Sequence, residues 1–110
     1  MDKLMIPTSY TVNGINIKTV VKEVSESKTC YGSTDFVTGV VTLYKNVSGS
    51  KISESQMHNT AFHEMIHVIL DSLGEYELSA DEKFICKFAG ALCQVFRSAV
   101  TSSYDELIKR

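Results

Sequence analysis

The chain has little that would break it into parts. It holds one proline, Pro7, and no repeat, low-complexity segment or linker-like stretch. Its 110 residues are enough to bury one hydrophobic core and too few for two. No apolar run approaches the roughly 20 residues that a membrane-crossing helix needs. No basic region followed by an apolar stretch opens the chain, so no secretory signal is expected. Basic residues are neither abundant nor clustered. The 11 Lys and Arg are scattered against 13 Asp and Glu, for a net charge of −2, which excludes a nucleic-acid or membrane-surface footprint. Cysteine is scarce and odd in number: Cys30, Cys86 and Cys93, with no Cys-x-x-Cys pair. Cys86 and Cys93 would lie two turns apart on one helix, roughly 10 Å by helical rise, too far for a disulfide. Reduced, buried thiols in a cytoplasmic protein are the expectation.

What remains is an ordinary globular composition with a clear change of period. "YTVNGINIKTVVKEV" alternates apolar and polar residues around Asn13-Gly14, a pair suited to the positive φ angles of a type I′ turn, and predicts a hairpin. "CYGSTDFVTGVVTLYKN" offers a second strand pair with its turn at Thr38-Gly39. "VSGSKISESQ" reads as a polar break. Ser53 and Gln56 then have the spacing of a capping box, and Met57, Phe62, Ile66, Ile69 and Leu73 recur at helical spacing up to a stop at Gly74. After a loop, "GEYEL", Ser79 and Glu82 repeat the capping spacing. A second helix is predicted from about Ala80 to Ala99, with Phe84, Ile85, Phe88, Ala89, Leu92, Val95 and Phe96 as its apolar stripe. "SSYDELIKR" is either a short capped third helix or a frayed tail. Strands first and helices after argue for α+β: a small twisted sheet of three to four strands on two antiparallel helices.

The chemistry lies in "AFHEMIHVIL". His63 and His67, four apart on a helix, present both imidazoles on one face, where they can share one ion. Glu64 points about 100° away from His63 and is better placed to hold a water than to ligate. This is the His-Glu-x-x-His pattern of zinc hydrolases. Neutral imidazoles leave zinc Lewis acidic, and a nearby carboxylate can accept the proton of the attacking water and return it to the leaving amine. A third ligand must come from beyond Gly74. Asp71, at i+8 from His63, is in line but about 12 Å away by helical rise. Glu75, Glu77, Asp81 and Glu82 remain, and Glu82 is preferred because it opens the second helix, a rigid platform that a helical hairpin folds back over the first. Against this stand two plainer readings: Glu82 as a capping residue for Ser79, and the histidines as part of a structural helix that binds no metal.

"TAFHEMIHVIL" followed by "DEKFICKFAGAL" resembles the ImmA/IrrE-type metallopeptidases, especially their short phage and prophage relatives. Glu82 stands six residues before Phe88-Ala89, as in that family's pattern, and Thr60 lies three before His63. The resemblance runs from about Tyr31 to Phe96, and "YGSTDFVTGVVTL" looks like the family's Gly-x-x-Asp strand pair. It implies a minimal zincin fold of the Glu-ligand type, with zinc held by His63, His67 and Glu82, and Glu64 as general base. It further implies a peptide or protein substrate, regulatory cleavage, and action in the cytoplasm of a bacterial host or phage-infected cell. The chain departs from larger relatives after the Phe-Ala pair, where "GALCQVF" lacks their proline, and it has no room for a helix-turn-helix domain.

Other residues take lesser roles. His58 is expected at the surface, and Met57 and Met65 in the core. Tyr76, in the loop between the helices, is an oxyanion-stabiliser candidate with a packed or exposed loop tyrosine as its alternative; Tyr31, Tyr44 and Tyr104 have no better claim. Val40 to Tyr44 is read as a strand that would bind a peptide if it lay at an edge. The competing function is a zinc-stabilised interaction module that binds a partner without cleaving it.

Overall fold

The computed structural model describes residues 5–25 and 30–109. The opening residues used in the signal-sequence reading lie partly outside this range, as does Arg110 at the end of "SSYDELIKR". Strands β1 (Ser9–Val12) and β2 (Ile15–Val24) form the expected hairpin, with Asn13 at φ 48° and Gly14 at φ 80°. Strands β3 (Gly32–Asp35) and β4 (Val40–Val47) form the second, closed by Gly39 at φ 71°. The two hairpins join through parallel pairing of β2 with β4, giving the order β1-β2-β4-β3. This mixed sheet corrects the reading of Val40–Tyr44 as a potential edge. β4 is central, with Val41 and Leu43 1% exposed, and among the described residues β1 and β3 lie at the two edges. The polar break also carries structure. A turn at Ser48 (φ 52°) and Gly49 (φ 78°) returns the chain as β5 (Ser50–Lys51), which pairs with β4.

Helix α1 (Glu54–Ser72) begins where the sequence marks it. The Ser53 side chain accepts from the Gln56 amide at 3.1 Å, and Gly74 at φ 76° follows its end. The helix is buried on more than the single face expected. Ala61 and Val68 join Ile17, Val41 and Leu43 over the sheet, while Ile66 meets Ile85 and Ala89 of α3 (Glu82–Ser98). Being sandwiched between sheet and helix explains why no clean apolar stripe appears on it. Leu73, placed on the predicted face, is exposed.

"GEYEL" contains a one-turn helix, α2 (Tyr76–Ser79). α3 then starts two residues later than expected, because Asp81 caps it by accepting from the Phe84 amide at 3.1 Å. The Ser79–Glu82 capping box therefore does not form: Ser79 is buried, and Glu82 is free of that role. α1 and α3 are antiparallel, since Glu82 meets His63 and His67 while Arg97 reaches His58 and Ser55. Only Ile85, Ala89 and Cys93 of α3 are buried; Phe88, Val95 and Phe96, counted in its stripe, are about half exposed or more. The tail forms a short capped helix, α4 (Tyr104–Ile108), with Ser103 accepting from the Glu106 amide. Among the described residues, no helix is long and apolar enough to cross a membrane.

Candidate metal centre

The centre is assembled from α1, the first turns of α3, and the edge strand. His63 and His67 stand one turn apart on α1, and their Nε2 atoms are 3.3 Å from each other. The carboxyl of Glu82, on the first residue of α3, spans both: Oε2 lies 3.1 Å from His63 Nε2 and Oε1 lies 3.1 Å from His67 Nε2. Donors on a tetrahedral ion with bonds of about 2.0 Å are separated by about 3.3 Å, so the two imidazole nitrogens already have the spacing one ion would impose, each with one oxygen of Glu82 beside it. Glu75 and Glu77 belong to the α2 turn, and Asp81 spends its carboxyl on the α3 cap. Among the described residues, two overlapping groups of donors could hold a metal: His63, Glu64 and His67, and His63, Glu82 and Cys86.

Glu64 is buried, and its two oxygens are differentiated. Oε1 accepts from Thr34 Oγ1 at 2.7 Å, and Oε2 lies 3.9 Å from His63 Nε2. Thr34 was missed by sequence reasoning. It reaches Glu64 because β3 lies close against α1: a Cβ on Gly32 would fall 2.7 Å from Thr60 Cγ2. Gly32 and Thr34, two apart on a strand, thus face Thr60 and Glu64, four apart on a helix, and the two spacings are both roughly 6 Å. Alternation along "GSTD" puts Gly32 and Thr34 on one face, but not which face.

The remaining imidazole nitrogens also have neighbours. His67 Nδ1 lies 3.0 Å from Ser79 Oγ, a contact that orients the ring, the hydroxyl donating or accepting according to the tautomer. His63 Nδ1 lies 3.9 Å from Cys86 Sγ. Neither Ser79 nor Cys86 was recognised as part of the site. Cys86 is exposed and Cys30 only partly buried, so of the three free thiols Cys93 alone fits the expectation of a buried one. Together these elements line a cleft of about 650 Å³ that includes Tyr31, Gly32, His63, Glu64, Glu82 and Cys86. Tyr31 lies in this cleft, whereas Tyr76 is two-thirds exposed and is not among its lining residues.

Half-buried Tyr10 has its hydroxyl pKa pushed up to about 12, by burial first and then by the Glu64 carboxyl charge. His58, expected at the surface, is fully buried. Its ring packs against Phe62 and Phe96, and its Nδ1 accepts from Arg97 Nε at 3.2 Å. It takes no part in the centre. Comparison with protein-family models, curated proteins and solved structures returns no match for this chain.

Proposed function

We propose that the protein is a zinc-dependent peptidase of the ImmA/IrrE-like kind, acting on a peptide or protein substrate in a bacterial or phage-infected cytoplasm. The observation that carries this reading is the convergence of His63 Nε2, His67 Nε2 and the Glu82 carboxyl at 3.1–3.3 Å, with the Glu64 Oε2 beside them. His63, His67 and Glu82 would hold the zinc; two nitrogens and a carboxylate oxygen are a donor set suited to that ion. Zinc bound there supplies Lewis acidity toward water and the scissile carbonyl. Glu64 Oε2 takes the proton of the attacking water and delivers it to the leaving amine, while Thr34 holds Oε1 and fixes the plane of the carboxyl. Ser79 keeps the His67 ring turned toward the centre. The edge of β3, unpaired among the described residues and with Gly32 lining the cleft, suits an extended peptide added as a further strand.

The test pairs metal content with cleavage of unfolded protein substrates. Glu64→Gln should retain zinc and lose roughly 10²- to 10⁴-fold in cleavage rate, the usual weight of a general base. Equal cleavage by wild type and Glu64→Gln would sink the peptidase reading.

A second reading, a zinc-stabilised interaction module, draws on the exposed apolar residues of α3, Phe88, Val95 and Phe96. It predicts that a partner-dependent phenotype survives Glu64→Gln intact and is lost on Phe88→Glu.

A further inference from the structure

We propose that Cys86 is a fourth protein donor to the metal ion, its thiolate taking the coordination position that a peptidase leaves open to water. The inference rests on the reading of the centre as a metal site, and adds to it a means of closing that site.

The geometry is a pairing of helices. α1 offers His63 and His67, four residues apart; α3 offers Glu82 and Cys86, also four residues apart. Residues at that spacing share a helix face, so each helix presents two donors, one turn apart, to the other. The Cys86 sulfur, a carboxyl oxygen of Glu82 and a ring nitrogen of His63 all lie within 4.8 Å of one another. Around a tetrahedral ion, with a bond of about 2.3 Å to sulfur and about 2.0 Å to nitrogen or oxygen, sulfur sits about 3.5 Å from the other donors. The sulfur stands 3.9 Å from His63 Nδ1, whereas His67 and Glu82 meet that ring at Nε2, so reaching the ion requires the thiol to swing toward Nε2. Cys86 is exposed on the cleft wall and turns on a single side-chain torsion, so little resists that shift.

Two consequences follow. Two imidazoles, a carboxylate and a thiolate would make a full set of four donors, so Cys86 would have to withdraw before water or substrate could take a place there. A thiolate also biases the site toward soft or borderline ions over magnesium, calcium or manganese. On ligation the thiol proton passes to solvent.

Cobalt(II) reads the sulfur directly. The metal-free full chain is titrated with cobalt and followed by absorption. Wild type should develop the visible bands of tetrahedral cobalt together with a near-ultraviolet sulfur-to-cobalt charge-transfer band. Cys86→Ser and Cys86→Ala should keep the visible bands and lose the near-ultraviolet one, while Cys30→Ser, which alters the other thiol of the cleft, should keep both. Visible bands without the sulfur band in wild type would overturn the assignment and leave the three-ligand centre standing, and so would loss of the sulfur band in Cys30→Ser but not in Cys86→Ser. Failure of cobalt to bind at all would remove the metal centre itself, and the proposed function with it.

Discussion

Thr34 Oγ1 donates to Glu64 Oε1 at 2.7 Å, tying the edge strand of the sheet to the helix that carries both imidazoles. The bond occupies one carboxyl oxygen and leaves the other beside His63. Thr34→Val keeps the side-chain shape and removes the donor. A buried polar atom deprived of its partner costs about 1–3 kcal/mol, so urea denaturation of the metal-free protein should show a loss in that range. Metal content should be unchanged, because Thr34 touches no proposed ligand other than through Glu64. Unchanged stability would mean that water replaces the hydroxyl and that Thr34 does not fix the carboxyl.

The neighbouring residues Asp81 and Glu82 separate two roles that the sequence superimposes. Asp81 caps α3, and Glu82 spans the imidazoles. Asp81→Ala should lower stability by about 1 kcal/mol and leave metal binding intact. Glu82→Ala should leave the cap intact and abolish stoichiometric zinc. Zinc per chain by mass spectrometry and thermal unfolding of the metal-free forms distinguish the two. If both variants kept full zinc, the third ligand would lie elsewhere.

Ser79 tests the support of the centre rather than its ligands. Its hydroxyl is 3.0 Å from His67 Nδ1, and loss of such an outer contact typically weakens metal affinity by about 10- to 100-fold. Ser79→Ala should show a loss of that size in competition with a chromogenic chelator, and Ser79→Thr should recover part of it. An affinity equal to wild type would leave Ser79 as packing alone.

Where local chemistry decides structure, the sequence was readable. Asn13-Gly14 demanded a tight hairpin, Ser53 a helix start and Gly74 its end, and each is found there. His63, His67 and Glu82 meet because two helices joined by a short connection must fold back on each other. What escaped was set by long-range packing. Nothing local to β2 or β4 says that they pair in parallel, so the central place of Val40–Tyr44 was invisible. Ser79 looked like a cap because its spacing to Glu82 fits one, yet Asp81, two residues on, takes that role. Thr34 and Cys86 carry no motif; each matters only because another element is laid beside it. His58 looked exposed because it lies about 140° round the helix from His63, and it is buried where the far end of α3 folds over it.

Gly32 shows how close the strand and helix lie. A Cβ there would stand 2.7 Å from Thr60 Cγ2 and 3.1 Å from the Thr42 carbonyl oxygen. Gly32→Ala should cost about 1–3 kcal/mol, as overpacking commonly does. Thr60→Ser removes the opposing methyl while keeping the hydroxyl that donates to the Gln56 carbonyl. The double variant should recover part of the loss, and not all of it, because the backbone oxygen of Thr42 stays in place. A double-mutant cycle in urea reads the coupling; simple additivity would mean that the strand shifts without pressing on Thr60.

His58 sets a pH dependence whose sign can be worked out. Burial first, and the nearby Arg97 charge second, hold its pKa below the ordinary 6.5, with smaller opposing contributions from the Met5 backbone and Glu54. The folded state therefore keeps the ring neutral where the unfolded chain already binds a proton. Stability from this residue is complete above pH 6.5 and is lost as the pH falls through 6.5 toward the lower folded value, since stability rises with pH wherever the unfolded state holds more protons. Metal-free protein should thus show a melting temperature that declines between pH 7.5 and 5.5. In His58→Asn, whose amide oxygen can still accept from Arg97 but does not titrate, the decline should be shallower, even if the variant is less stable throughout. Parallel curves for the two proteins would mean that His58 does not set the slope.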